Sequence, residues 1–166
     1  MDFELSARAA EYRDRLHDFV SSVVEPATPV YDAQVEESGN PHFSPPVMEE
    51  LKAEARRRGL WNLFLPDTEE GAGLTNLEYA PLCEIMGRAP LSAEATNCSA
   101  PDTGNMEILH LFGTPLQQEQ FLRPLLDGDV RSCFAMTEPW VASSDATNIG
   151  STIVRHGDHY VINAHK

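Results

Sequence analysis

Residues 133–148 read CFAMTEPWVASSDATN, and the reading of this stretch decides what kind of domain the chain holds. It places small residues, hydroxyls, two carboxylates and one Trp behind a short apolar run, with no helical stripe. Pro139 has no amide donor and holds Glu138 extended, so the pattern predicts a short strand over Ser132–Met136 that turns at Thr137-Glu138-Pro139. Beyond the turn, Ala142, Ser143 and Ser144 are small enough for a ligand to reach the backbone. Their amides and hydroxyls suit an anionic group such as a pyrophosphate. Thr137 offers a hydroxyl and an amide suited to the polar edge of a heteroaromatic ring. On composition alone, a Ser-rich surface loop between two strands is the plainer reading.

Downstream, Ser151–Arg155 and His159–Asn163 alternate in polarity around His156-Gly157-Asp158, which predicts a hairpin. Upstream the texture is helical. Leu5, Ala9, Tyr12, Leu16, Phe19, Val20 and Val23 make an amphipathic stripe that Pro26 and Pro29 should end, leaving Tyr31 to His42 as a loop. Ser44 is the expected N-cap of a second helix through Met48, Leu51 and Ala55, stopping at Gly59. Leu60–Leu65 is an apolar run too short for a helix of its own. Thr75 with Glu78, and Thr114 with Gln117, read as capping boxes. Pro101 opens the helix between them, and Pro124 should kink or shorten the last one. The expected organisation is therefore mainly α. A helical domain spans 1–130, and 131–166 holds the first strands of a β domain. Two or three strands cannot close a sheet with two covered faces, so that second domain reads as cut off.

The chain has 166 residues, enough to bury a core without metal or disulfide. Lys and Arg total 12 against 26 Asp and Glu, a formal net charge of −14, which repels phosphate backbones and argues against nucleic acid. Cys83, Cys98 and Cys133 are isolated, the pattern of reduced thiols in a cytoplasmic protein. The first residues are charged with no apolar signal region, and no run approaches the ~18 apolar residues of a membrane span. The six histidines form no metal-ligand set, Arg56-Arg57-Arg58 reads as a solvated last turn, and Gly71-Ala72-Gly73 lacks phosphate-loop spacing.

Residues Phe134–Ile149, FAMTEPWVASSDATNI, resemble the flavin-binding signature of the acyl-CoA dehydrogenase family: a short apolar strand, T-E-P, small residues, then S-D. Gly157–Lys166 resembles the segment leading to that family's next flavin contact. Gly59–Pro66, Gly71–Leu74 and Asn97–Glu107 resemble its helical N-terminal domain, most closely in the branch of mammalian family members 10 and 11. The resemblance implies FAD lying against Phe134, Ala135, Met136 and Thr137, followed by Glu138, Pro139, Trp140, Val141 and Ala142. Met136 and Thr137 would meet the pyrimidine edge, with Thr137 near N5 and O4. Ser143 and Ser144 would meet the pyrophosphate, and Ser144 also the CoA arm of the substrate. It further implies α,β-dehydrogenation of an acyl-CoA, an electron-transfer flavoprotein or similar acceptor, and a homo-oligomeric full-length form. Trp140 departs from the pattern, standing where the family has Gly or, in this branch, Asp. The family's proton-abstracting glutamate lies on a C-terminal helical bundle absent from this chain, so no catalytic residue is assigned. The rival expectation is an inactive truncated homologue serving as a helical interaction or structural module.

Overall fold

Two prolines near the N-terminus test the helix reading at once. The computed structural model describes residues 4–166. Ser6 caps α1 (Ala7–Phe19) by accepting the Ala9 amide at 3.1 Å. The helix does not end at Pro26 or Pro29, and 31–42 is not all loop: a π turn over Val20–Val24 leads into α2 (Glu25–Ser38). In an α-helix Pro26 would press its ring on the carbonyl four residues back and leave it without a donor. Here the Glu25 amide instead donates to the Val20 carbonyl, five residues back, and the widened turn admits the proline. The Ser21 and Ser22 hydroxyls donate to the His17 and Asp18 carbonyls at 2.8 and 2.6 Å. The same device precedes Pro124. α7 (Pro115–Gln117) runs into a π turn over Gln118–Leu122, closed by the Arg123 amide on the Gln118 carbonyl, and then into α8 (Arg123–Leu126).

The second correction follows from the first. Ser44 does not cap α3 (Pro46–Arg57); Pro45 is the extended N-cap residue, and the Val47 amide goes to the Gln34 side chain of α2 at 3.2 Å. A residue expected in a loop thus does the capping from a neighbouring helix. α4 (Asn76–Met86) does begin at the expected box, with Glu78 N–H to Thr75 Oγ1 at 3.3 Å and Thr75 N–H to Glu78 Oε2 at 2.9 Å. A one-turn α5 (Ser92–Ala95) follows, unforeseen in the sequence, and then α6 (Asp102–Phe112).

Leu16, Phe19, Val24, Met48, Leu51 and Leu82 form the centre of the core. Leu60, Leu63, Phe64 and Leu65 are also buried, so the apolar run after α3 plugs the core without being a helix. Burying backbone in irregular conformation demands polar partners. Asn62 and Asn97 supply them, both in the left-handed region at φ 52 and 55. Asn97 Nδ2 donates to Asn62 Oδ1 at 2.7 Å and to the Leu125 carbonyl at 2.9 Å. The Leu126 carbonyl faces Trp61 Nε1 at 2.8 Å, Asn62 Nδ2 at 3.1 Å and Asn97 Nδ2 at 3.3 Å.

The chain divides into one unit ending at Ser132 and a second, Cys133–Lys166. In the second, β1 (Thr152–His156) pairs antiparallel with β2 (His159–Asn163), and Gly157 takes φ 63 in the turn. Ile153 faces Ile162 on one side and Val154 faces Val161 on the other, so both faces carry apolar residues, all exposed. The expected strand over 132–136 does not form among the described residues. A strand needs a hydrogen-bonded neighbour. Here the segment instead folds on itself, Met136 N–H donating to the Phe134 carbonyl at 3.0 Å.

Asn97→Ala should lower the stability measured by urea unfolding by on the order of 2–4 kcal/mol. It leaves buried carbonyls unanswered and keeps a side chain at positive φ. Asn97→Gly, which tolerates that φ, should recover about 1 kcal/mol. Equal losses in the two variants would show that the backbone conformation costs nothing.

Candidate functional site

The loop between Cys133 and Ser151 is organised from within by two acidic residues. Glu138 is buried, and its carboxylate accepts from Gly150 N–H at 2.7 Å, Ser151 N–H at 3.1 Å, the Ser151 hydroxyl, and Lys166 Nζ at 2.8 Å. The Lys166 ammonium, then the Ser151 hydroxyl and Gly150 amide, hold its pKa down at about 2. Glu138 N–H donates to Ser143 Oγ at 2.9 Å, and Ser143 N–H donates to the Val141 carbonyl at 2.9 Å. Ser143 is accordingly buried. Asp145 caps a 3₁₀ turn over Ala146–Asn148, accepting the Thr147 hydroxyl at 2.7 Å and the Thr147 amide at 3.0 Å. Those two bonds hold its carboxyl below the usual range.

This arrangement sorts the residues singled out in the sequence. Glu138 and Ser143 face inward and, with the exposed Asp145, hold the loop's shape. Thr137 and Ser144 are exposed, and among the described residues neither amide nor hydroxyl of either has a hydrogen-bond partner. Met136 differs, its amide spent on Phe134 and its carbonyl accepting from Lys166 Nζ at 3.2 Å. Phe134 is 63% exposed, with Ala135, Pro139, Val141 and Ala142 also open to solvent. Trp140 is 83% exposed and meets His165 edge-on at 6.4 Å, so it is no packing anchor of this unit. A cleft of about 320 Å³ lies between Trp140, Glu138 and the hairpin's base at Asn163 and Ala164. Lys166, Gly150 and Ser151 had no signal in the sequence, because nothing local pairs them with Glu138.

In the first unit the motifs that imitate binding sites are structural. Arg57 and Arg58 both hold Glu54, at 2.5 and 2.6 Å, and Arg56 lies 3.8 Å over the Trp61 ring. A Cβ on Gly71 would come within 2.4 Å of the Leu65 carbonyl oxygen, so that turn is packed against the core segment and not open to a phosphate. Among the described residues no group of three or more His, Cys, Asp or Glu is arranged to hold a metal ion.

The model of the acyl-CoA dehydrogenase N-terminal domain matches residues 6–129. The chain belongs to the acyl-CoA dehydrogenase family. It is 57% identical over its whole length to the Mycobacterium tuberculosis protein named "Probable acyl-CoA dehydrogenase FadE2", of which it covers 40%. It is 51% identical to mouse acyl-CoA dehydrogenase family member 10 across 98% of this chain and 16% of that protein. A solved structure, "Structure of a putative acyl-CoA dehydrogenase from Mycobacterium abscessus", superposes with a TM-score of 0.88 at 49% identity, over 96% of this chain and 41% of that one. The chain thus spans less than half the length of these family members. The mainly α fold with a small two-stranded sheet matches the family's N-terminal helical domain plus the start of its β domain.

With its folded-state pKa depressed to about 2, Glu138 stabilises the loop fully above the ordinary carboxylate pKa and loses that contribution as pH falls through about 2. Side-chain carboxyl carbon shifts should show no Glu138 titration step between pH 5 and 4; a step there would mean the donors do not hold it. Trp140→Asp should change stability by less than about 0.5 kcal/mol in thermal melts, as exposed substitutions do.

Proposed function

We propose that this chain provides the flavin-facing part of an FAD-dependent acyl-CoA dehydrogenase acting on an acyl-CoA thioester. The observation that carries the reading is the division of labour in the loop: polar groups that could be used internally are used, and Thr137 and Ser144 are left outward with unspent donors. Those donors fit the two polar regions of FAD. Thr137, next to the apolar Phe134–Met136 segment, suits the isoalloxazine edge. Ser144 suits the pyrophosphate and would also serve the CoA arm; Ser143, buried with its oxygen accepting the Glu138 amide, serves the loop. When bound, FAD would accept the substrate's β-hydrogen as hydride.

What this chain's residues do is bind and orient. A general base works best with a pKa near the operating pH. Glu138, held at about 2 and surrounded by donors, is the wrong group to take an α-proton. The base is supplied from outside these residues. An electron-transfer flavoprotein or similar acceptor and homo-oligomeric assembly of the full-length form complete the proposal on the strength of family membership, and the isolated cysteines add a cytoplasmic location.

FAD titration of the chain, followed by flavin fluorescence, tests it. Saturable binding is expected, weakened in Thr137→Val by roughly 0.5–1.5 kcal/mol, the net value of one hydrogen bond. Ser144→Ala should show a similar loss. No binding, or affinity indifferent to both changes, would leave the chain as a structural module.

A further inference from the structure

We infer that Lys166 and Glu138 form a positioning latch that fixes the Met136–Glu138 backbone in the shape that presents Thr137 to a flavin. The inference rests on the reading of this loop as a flavin site. Lys166 Nζ lies 2.8 Å from Glu138 Oε1 and 3.2 Å from the Met136 carbonyl oxygen, so one ammonium ties the Met136 backbone to the Glu138 side chain across Thr137. The other donors to Glu138 come from Gly150 and Ser151, at the foot of β1, whereas Lys166 follows β2. One carboxylate therefore ties both legs of the hairpin to the turn. The Glu138 amide, held by Ser143 Oγ at 2.9 Å, adds the loop's far side to the same knot.

The chemistry of the latch suits positioning and not ligand contact. The Glu138 side chain is buried, its oxygens are engaged, and the lysine side chain is only 24% exposed. Neither group has to move for a ligand to reach Thr137. A site whose donors are already fixed binds with less loss of conformational freedom than one that must be ordered on binding. The latch would thus act on flavin affinity through Thr137 without touching the flavin.

The test compares the full chain with Lys166→Met and Lys166→Arg, by amide hydrogen exchange and FAD titration. In Lys166→Met the Met136 and Glu138 amides should exchange about tenfold faster and the FAD dissociation constant should rise about tenfold, the scale of a hydrogen bond to a charged group. Lys166→Arg, which keeps the charge and the donors, should restore both to within about threefold. Unchanged exchange in Lys166→Met overturns the latch. Faster exchange with unaltered FAD affinity overturns its role in flavin binding. A parent chain that binds no FAD sinks the cofactor reading and that role together, and the exchange rates still decide whether the latch exists.

Discussion

The Leu126 carbonyl is the point on which the helical unit depends. α8 has only one turn after its π segment, so its last carbonyls cannot all be satisfied by the chain that follows. Three side-chain donors reach Leu126, from Trp61, Asn62 and Asn97, and Arg56 donates to the next carbonyl, Asp127. Trp61 and Asn62 come from the core plug after α3, Asn97 from the turn after α5, and Arg56 from the end of α3 itself. Three segments far apart in sequence are joined at one helix end. The two asparagines reach it because each sits at positive φ, a conformation that their short polar side chains tolerate better than most. Gly128, at φ 71, completes the fit: a Cβ there would stand 2.8 Å from the Trp61 ring.

The second unit is held by the same kind of economy on a smaller scale. Without a packed apolar centre of its own, it uses Glu138 where the first unit uses Asn62 and Asn97. In both, buried polar side chains with several partners, two in the first unit and one in the second, hold irregular backbone that no ladder supports. That choice sets which residues are left facing outward, and so where a ligand could be met.

Local chemistry was legible in the sequence and long-range chemistry was not. The boxes at Thr75–Glu78 and Thr114–Gln117 and the Gly157 hairpin depend on residues a few positions apart; both boxes form as read, and the hairpin forms with its first strand one residue later, His156 pairing with His159 instead of sitting in the turn. Pro26 and Pro29 misled because the rule that proline ends a helix presumes hydrogen bonds four residues back; a π turn escapes the presumption. The error spread, since treating 31–42 as loop hid Gln34 as the cap of α3. The T-E-P motif marked the loop that Glu138 organises, while Glu138's partners, Gly150, Ser151 and Lys166, lie at separations fixed by the hairpin's length. No periodicity encodes such distances. The split between outward Ser144 and inward Ser143 is likewise a matter of loop curvature that adjacent identical residues cannot reveal.

The hairpin with apolar residues on both faces has a colloidal consequence. Ile153 and Ile162 on one side, Val154 and Val161 on the other, and two open edges make it an adhesive surface towards any extended chain. The formal charge of −14 is its counterweight, since like-charged copies repel before their edges meet. That repulsion reaches only about 10 Å at 0.1 M salt and about 3 Å at 1 M. Rising ionic strength should therefore shorten the time this chain stays dispersed.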